Sequence, residues 1–174
     1  MNSELVSITA APKRMEFGAE RTFCACSDCT IKCQHMPGYL IPADLDRMIP
    51  PTEDPFAWAE KNILASPGTL VAYDGRMFRI PTLVPAVRSS GACIHLTDGL
   101  LCNIHDNAPF GCAFFDCRTP PAAPHIYEGM RAVARAWKEG HLYGRLWVYL
   151  NGLGLVQRSP EVLHAQIAMA KARR

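Results

Sequence analysis

The sequence predicts a small single domain of the α+β class, and three observations support this class. Two β-prone runs flank Asp74-Gly75 within residues 69–84, which is typical of a β-hairpin. Apolar residues recur at helical spacing after residue 124. The length of 174 residues is close to that of one domain and is sufficient to bury a core. Short hairpins backed by C-terminal helices are therefore expected.

By composition, this single domain divides into three consecutive parts. Residues 1–21 show no sustained hydrophobic period and contain Pro12 and Gly18, so we expect a flexible lead-in. Residues 22–120 contain all eight cysteines and predict a metal-binding region. Residues 121–174 predict the helical C-terminal part of the same domain.

Between the two groups of cysteines, local signals predict two helices and a second hairpin. A short helix is expected over 43–48, and another over 56–64 with Asp54-Pro55 as its N-cap and first position. The second hairpin is expected at 93–102 about a turn at 97–99. Its pairing would place the thiols of its two terminal cysteines close together.

Three helices are expected in the C-terminal part. The first is amphipathic, the second covers 142–150 and ends at Asn151-Gly152, and the third begins at Ser159-Pro160. The basic end at 171–174 is typical of a solvated helix end. The aromatic residues of these helices are expected to pack in the core; they are Trp137, Tyr143, Trp147 and Tyr149.

Charge and hydropathy exclude several classes of partner. The net charge of +2, from 18 basic and 16 acidic residues, is too small to argue for a nucleic-acid partner. The start has no secretory signal and no apolar run approaches membrane-spanning length, so we expect a cytoplasmic protein without a membrane partner. In a reducing compartment, eight cysteines favour metal coordination over a disulfide framework.

The cysteines form two groups of four. Four thiols within ten residues of an expected N-terminal loop can converge on one metal ion or cluster at little loop-closure cost, whereas the second group must converge by folding around the expected hairpin. The eight cysteines could fill one site or two. Ordinary buried cysteines and disulfides remain the alternatives. The first group is Cys24, Cys26, Cys29 and Cys33, and the second is Cys93, Cys102, Cys112 and Cys117.

Two segments resemble a known family. The first group loosely follows a C-x2-C-x2-C-C signature, and Cys102, Ile104, Pro109 and Cys112 fall in the register of a second motif, Cys-x-Ile-Tyr-x2-Arg-Pro-x2-Cys-Arg. These features resemble the zinc- or iron-chelating cysteine-cluster proteins also called YkgJ-like, over roughly residues 22–120. The resemblance implies a protein that holds zinc or iron through its cysteines.

The chain departs from that pattern at five positions. Gln34 stands where the second of two adjacent cysteines is expected, Cys24 is additional, and His105, Ala108 and Ala113 replace Tyr, Arg and Arg. The ligand set is therefore expected to be rearranged. The loss of both arginines removes cations that could pair with a thiolate cluster or an anionic substrate.

The sequence leaves the metal open between zinc and an iron–sulfur cluster, with 4Fe–4S as the candidate type. Zinc commonly uses paired C-x2-C knuckles, and Cys26 and Cys29 form the only such pair. The apolar run 113–115 suits a cluster by limiting solvent access, which favours iron–sulfur. Further candidate nitrogen ligands are His35, His95 and His105.

Three functions are compatible with such a site. The first, which we favour, is an electron-transfer, metal-handling or accessory module that serves a protein partner. The second is a metal-dependent enzyme with an open coordination position. The third is a structural zinc protein that acts through protein–protein contacts. Motifs of hydrolases and nucleotide-binding enzymes are missing, so no catalytic residue is assigned.

Overall fold

The computed structural model describes residues 26–113 and 124–173, and it confirms the α+β class. The predicted lead-in at 1–21, Cys24 and Cys117 lie outside these residues. In the described part of the chain, no helix combines the length and the apolar character needed to cross a lipid bilayer. The elements are α1 (Ser27–His35), α2 (Pro42–Met48), α3 (Pro55–Asn62), β1 (Ile63–Tyr73), β2 (Arg76–Pro85), α4 (Phe110–Ala113), α5 (Pro124–Lys138), α6 (Leu142–Gly152) and α7 (Pro160–Ala172).

Among the described members of the first cysteine group, Cys26 is the N-cap of helix α1 and the other two lie on this helix, where a loop was expected. Cys29 and Cys33 are four residues apart on this helix, so their side chains share one face. The predicted helices α2 and α3 are confirmed, and Asp54 caps α3 by accepting from the backbone N–H groups of Phe56 and Ala57. Helix α3 ends two residues earlier than expected because Ile63 is buried and begins β1.

The predicted hairpin at Asp74-Gly75 is confirmed and is longer than expected. Strands β1 and β2 are antiparallel, with Ile63 opposite Pro85 and Tyr73 opposite Arg76. The end nearest the helices is buried, whereas Met77 and Phe78 near the turn are 62% and 46% exposed. The hairpin therefore contributes to the core through one end only.

The core lies between this end of the hairpin and helices α2, α3, α5 and α6. Tyr143 is fully buried there, and its hydroxyl donates to Leu40 O at 2.7 Å and accepts from Leu83 N at 2.8 Å. The Trp137 and Trp147 rings pack edge to face with centroids 5.5 Å apart. Tyr143 belongs to the core, whereas Trp137, Trp147 and Tyr149 are half-buried and pack against it, which confirms the expectation of core or packing aromatic residues.

The predicted second hairpin at 93–102 is wrong. Cys93 forms a single bridge with Val87 and Cys102 forms one with Leu96, so the two cysteines do not pair with each other. The Thr97 hydroxyl donates to Leu101 O at 2.9 Å and accepts from Leu101 N at 3.2 Å. Such local side-chain bonds compete with a strand ladder, and the segment forms turns instead.

A buried carboxylate joins α2 to the segment that carries the last described cysteine. Asp44 Oδ2 accepts from the backbone N–H groups of Ile41 and Phe110, both at 2.9 Å. Asp44 Oδ1 accepts from Arg47 Nη2 at 2.7 Å, and Arg47 also donates to Asn107 O and Ala108 O. Burial raises the pKa of Asp44, against the opposing effect of these donors. The carboxylate thereby fixes the start of α4.

We expect Asp44→Ala to lower the free energy of unfolding by about 3–5 kcal/mol, because it leaves Arg47 and two buried N–H groups without their acceptor. Asp44→Asn should lose less, since an amide oxygen still accepts from backbone N–H groups. Urea unfolding followed by circular dichroism measures both losses.

The matched control is Asp46→Ala, at an exposed position of the same helix. Its effect should stay within about 0.5 kcal/mol. Equal losses for the variants at Asp44 and Asp46 would contradict the role given to the buried carboxylate.

Candidate functional site

A cavity of about 400 Å³ collects cysteines from three separate parts of the chain. Helix α1 supplies two of them, the turns after β2 supply two, and α4 supplies one. Cys26 is exposed at the N-cap of α1 and does not line this cavity. The five cysteines of the lining are Cys29, Cys33, Cys93, Cys102 and Cys112. We call this space the cysteine cavity.

Backbone hydrogen bonds hold the turn at Cys93 against α1. Cys93 N donates to Cys33 O at 2.8 Å, which places the two cysteines side by side. Hydrogen bonding from the backbone of His95 and Leu96 lowers the pKa of the Cys93 thiol, although burial raises it more. Hydrogen bonds to sulfur of this kind stabilise a thiolate and tune the properties of a bound metal.

Cys112 is positioned by the close approach of two glycines. A Cβ atom on Gly38 would lie 2.3 Å from Gly111 C, and one on Gly111 would lie 2.5 Å from Tyr39 N. This contact allows Gly111 N to donate to Tyr39 O at 2.8 Å and Gly38 N to donate to Cys112 Sγ at 3.2 Å. The segment after α1 therefore holds the thiol of α4.

Four of the thiols interact electrostatically. Burial, followed by the proximity of Cys93 and Cys102, raises the pKa of Cys33 from 9.0 to about 11. Burial is also the main cause that raises the pKa of Cys93 and, well above its ordinary value, that of Cys112. Without a compensating cation, the cysteine cavity therefore favours protonated thiols.

Nitrogen donors and cations also line the cysteine cavity. His95 Nε2 is buried without a hydrogen-bond partner, and burial lowers the pKa of this imidazole, against the opposing effect of a hydrogen bond that the imidazole donates to the Asn103 side chain. His105 and His164 line the cavity as well, whereas His35 lines a different one. Lys32 lies in the cavity wall, and burial lowers its pKa.

This donor set suits zinc or an iron–sulfur cluster. Thiol sulfurs and a neutral imidazole nitrogen are ligands of both, and an unpartnered His95 Nε2 is the form of histidine that binds a metal. Within 26–113 and 124–173, however, no three His, Cys, Asp or Glu side chains already stand together as metal ligands. The cysteines thus line one cavity, but their thiols do not converge on a single coordination position.

Sequence reasoning missed several residues that shape the cavity. The bond from Phe110 N to the Asp44 carboxylate and the bond from Gly38 N to Cys112 Sγ span 66 and 74 residues of sequence, and no local pattern marks them. Arg88 was also missed; it lowers the pKa of Cys93, although burial prevails. It supplies a cation near the thiols, in a chain that lacks the two arginines of the family motif.

Comparison of the chain with protein-family models, with curated proteins and with solved structures finds no match. The resemblance of the two cysteine motifs therefore stays a prediction. The fold and the site define an α+β protein with a cavity lined by cysteines from three segments.

We expect Gly38→Ala to lower the free energy of unfolding by about 1–3 kcal/mol, because the added methyl group collides with the backbone of Gly111. The contact that holds Cys112 would open. Gly99→Ala is the control, since the nearest atom to its added Cβ lies 3.8 Å away. Denaturant unfolding of both variants tests this, and equal stability would show that the close approach is dispensable.

Stability of the metal-free protein should fall between pH 9 and about 11. Cys33 has a higher pKa in the folded chain than its ordinary 9.0, so its contribution is complete below pH 9 and is lost as pH rises through about 11. The loss should be of order 2 kcal/mol. The described core cluster contains no cysteine, so we expect the metal-free chain to remain folded at neutral pH.

Urea unfolding at a series of pH values measures this slope. Cys33→Ser should make it smaller, because the serine hydroxyl does not titrate in this range, and should leave the part due to Cys93 and Cys112. A slope that is the same in both proteins would show that Cys33 is not the group responsible.

Proposed function

We propose that this chain is a metal-binding protein that uses clustered cysteine thiolates to hold an iron–sulfur cluster or zinc. It serves a protein partner as an electron-transfer, metal-handling or accessory module in the reducing cytoplasm. The observation that carries the proposal is the convergence of cysteines from α1, from the turns at 93–102 and from α4 on one cavity. Ordinary buried cysteines would not need to share a space.

The electrostatics of the cysteine cavity support a cationic occupant. Crowded thiols with raised pKa values ionise only if a cation offsets the desolvation of each sulfur and the repulsion between thiolates. A metal supplies this positive charge, and its binding releases the thiol protons. Metal binding would require modest movements of the cysteine side chains, because the sulfurs must move from the cavity wall into contact with the metal.

The size and the lining of the cavity favour an iron–sulfur cluster over a closed zinc site. A structural zinc ion is enclosed by four ligands in contact with it, which leaves no comparable space. The wall of this cavity of about 400 Å³ includes apolar side chains such as Leu96 and Ile104. Apolar surroundings and N–H groups directed at sulfur, as Gly38 provides at Cys112, stabilise such clusters.

A metal-dependent enzyme with an open coordination position is the second candidate. The volume of the cavity falls within the range of about 300–1,000 Å³ that is typical of small-molecule pockets. Space beside a metal would admit a substrate or water as a further ligand. His164 of α7, which lines the same cavity, would then lie next to the bound molecule.

The test is metal content, acid-labile sulfide and visible absorption of protein purified without oxygen. We expect iron, sulfide and a broad brown absorbance in the full chain. Substitution of Cys33, Cys93, Cys102 or Cys112 by serine should reduce the bound metal about tenfold or more, as a lost ligand does. Cys26→Ser is the control and should keep it, because Cys26 lies outside the cavity.

Each result decides between the alternatives. Stoichiometric zinc in a colourless protein would replace the cluster by zinc and would leave the site unchanged. Metal that survives all four cavity substitutions would place the site elsewhere. Protein without metal, after reconstitution with iron and sulfide or with zinc has also failed, would overturn the proposal.

A further inference from the structure

A second cavity, of about 460 Å³, lies between the turn after β2 and helix α7. Three arginines line it: Arg88 of the turn, Arg158 before α7, and Arg173 at the end of α7. No aspartate or glutamate is among the described residues of its lining. The cavity is therefore positively charged and is large enough for a small molecule.

A buried hydrogen-bond donor in the wall of this cavity also favours an anionic ligand. Gln157 is 8% exposed and lines both this cavity and the cysteine cavity. Its backbone N–H donates to Ala65 O at 2.8 Å, but its side-chain Nε2 is buried without a hydrogen-bond partner. A buried amide donor without an acceptor is costly. Because Nε2 is buried, the side chain must turn toward the second cavity for an oxyanion there to supply the missing acceptor.

Two of the three arginines lie in loops, and only one lies at the end of a helix. Arg173 lies at the C-terminal end of α7, where a cation is already favoured by the helix dipole. Arg88 and Arg158 do not lie at a helix C-terminus, so the helix dipole does not account for them. The Arg88 guanidinium is held by donation from Nη2 to Ile94 O at 3.1 Å, which leaves its other N–H groups to bind an anion.

Besides the arginines and polar residues such as Ser89, Ser90 and Gln166, the wall has an apolar part. Leu64, Val87, Val156 and Met169 line the cavity together with the arginines. An inorganic anion alone would leave these side chains against water, whereas an organic anion would bury them. We propose that the second cavity binds a small organic oxyanion, a carboxylate or phosphate joined to an apolar group. This ligand does not depend on the metal proposed above.

Isothermal titration calorimetry on the full chain tests this with four probes: phenyl phosphate, benzoate, inorganic phosphate and benzylamine. We expect at least one of the two aromatic anions to bind more tightly than inorganic phosphate, and benzylamine not to bind. Phenyl phosphate alone would identify a phosphate ligand, and benzoate alone a carboxylate ligand. Equal binding of benzylamine, or no binding of any aromatic anion, would overturn the proposal.

Two substitutions locate the binding site. Arg158→Ala removes an exposed guanidinium and should weaken anion binding about tenfold or more. Gln157→Glu keeps the size of the side chain, replaces the donor by a negative charge, and should abolish binding. The control is Arg76→Ala beside the hairpin turn, which lines neither cavity and should leave the affinity unchanged.

The metal content of the same variants separates this inference from the proposed function. We expect Arg158→Ala to lose anion affinity while it keeps its metal and its fold by circular dichroism. Anion affinity that is unchanged in Arg158→Ala and in Gln157→Glu would show that the anion binds elsewhere and would refute the site.

Discussion

The geometry of the cysteine cavity depends on one buried carboxylate. Asp44 accepts the backbone N–H groups of the neighbouring Ile41 and of Phe110, 66 residues away, and one guanidinium N–H group from Arg47. Burying this charge is costly, and only the full set of donors offsets the cost. Because one of those donors is the N–H of Phe110, the carboxylate sets where α4 begins. Cys112 follows two residues later, so a polar contact outside the cavity fixes one of its sulfurs.

The cavity itself brings together groups that repel one another once they ionise. Thiolates at Cys33, Cys93 and Cys112 would be partly desolvated and close to each other, which is why their pKa values are raised. Such a site discriminates by charge. A neutral ligand would leave the thiols protonated. The positive charge of a metal would attract every thiolate and so offset the repulsion between them. The cation of Lys32 in the wall compensates part of the negative charge that a four-thiolate site would have.

Elements that begin or turn at a local signal could be predicted from the sequence. Asp54-Pro55 at α3, Asp74-Gly75 in the hairpin and Ser159-Pro160 at α7 each use side chains that act within a few residues. The hairpin expected at 93–102 failed because the hydroxyl of Thr97 closes a turn on Leu101, a competition that residue types alone do not reveal. The grouping of thiols was expected, but the contacts that position them join distant segments and required the structure.

The spacing of the cysteines along the chain has a consequence for biosynthesis. Cys33 and Cys93 are 60 residues apart in sequence, yet they are neighbours across a single backbone hydrogen bond. At about 5–20 residues per second, a ribosome needs roughly 3–12 s to make that interval. During this time the nascent chain can offer a metal only the thiols of the first cysteine group. The complete cavity exists only after α7 has been made, because His164 lines it, so a metal that required the whole lining would bind the finished polypeptide.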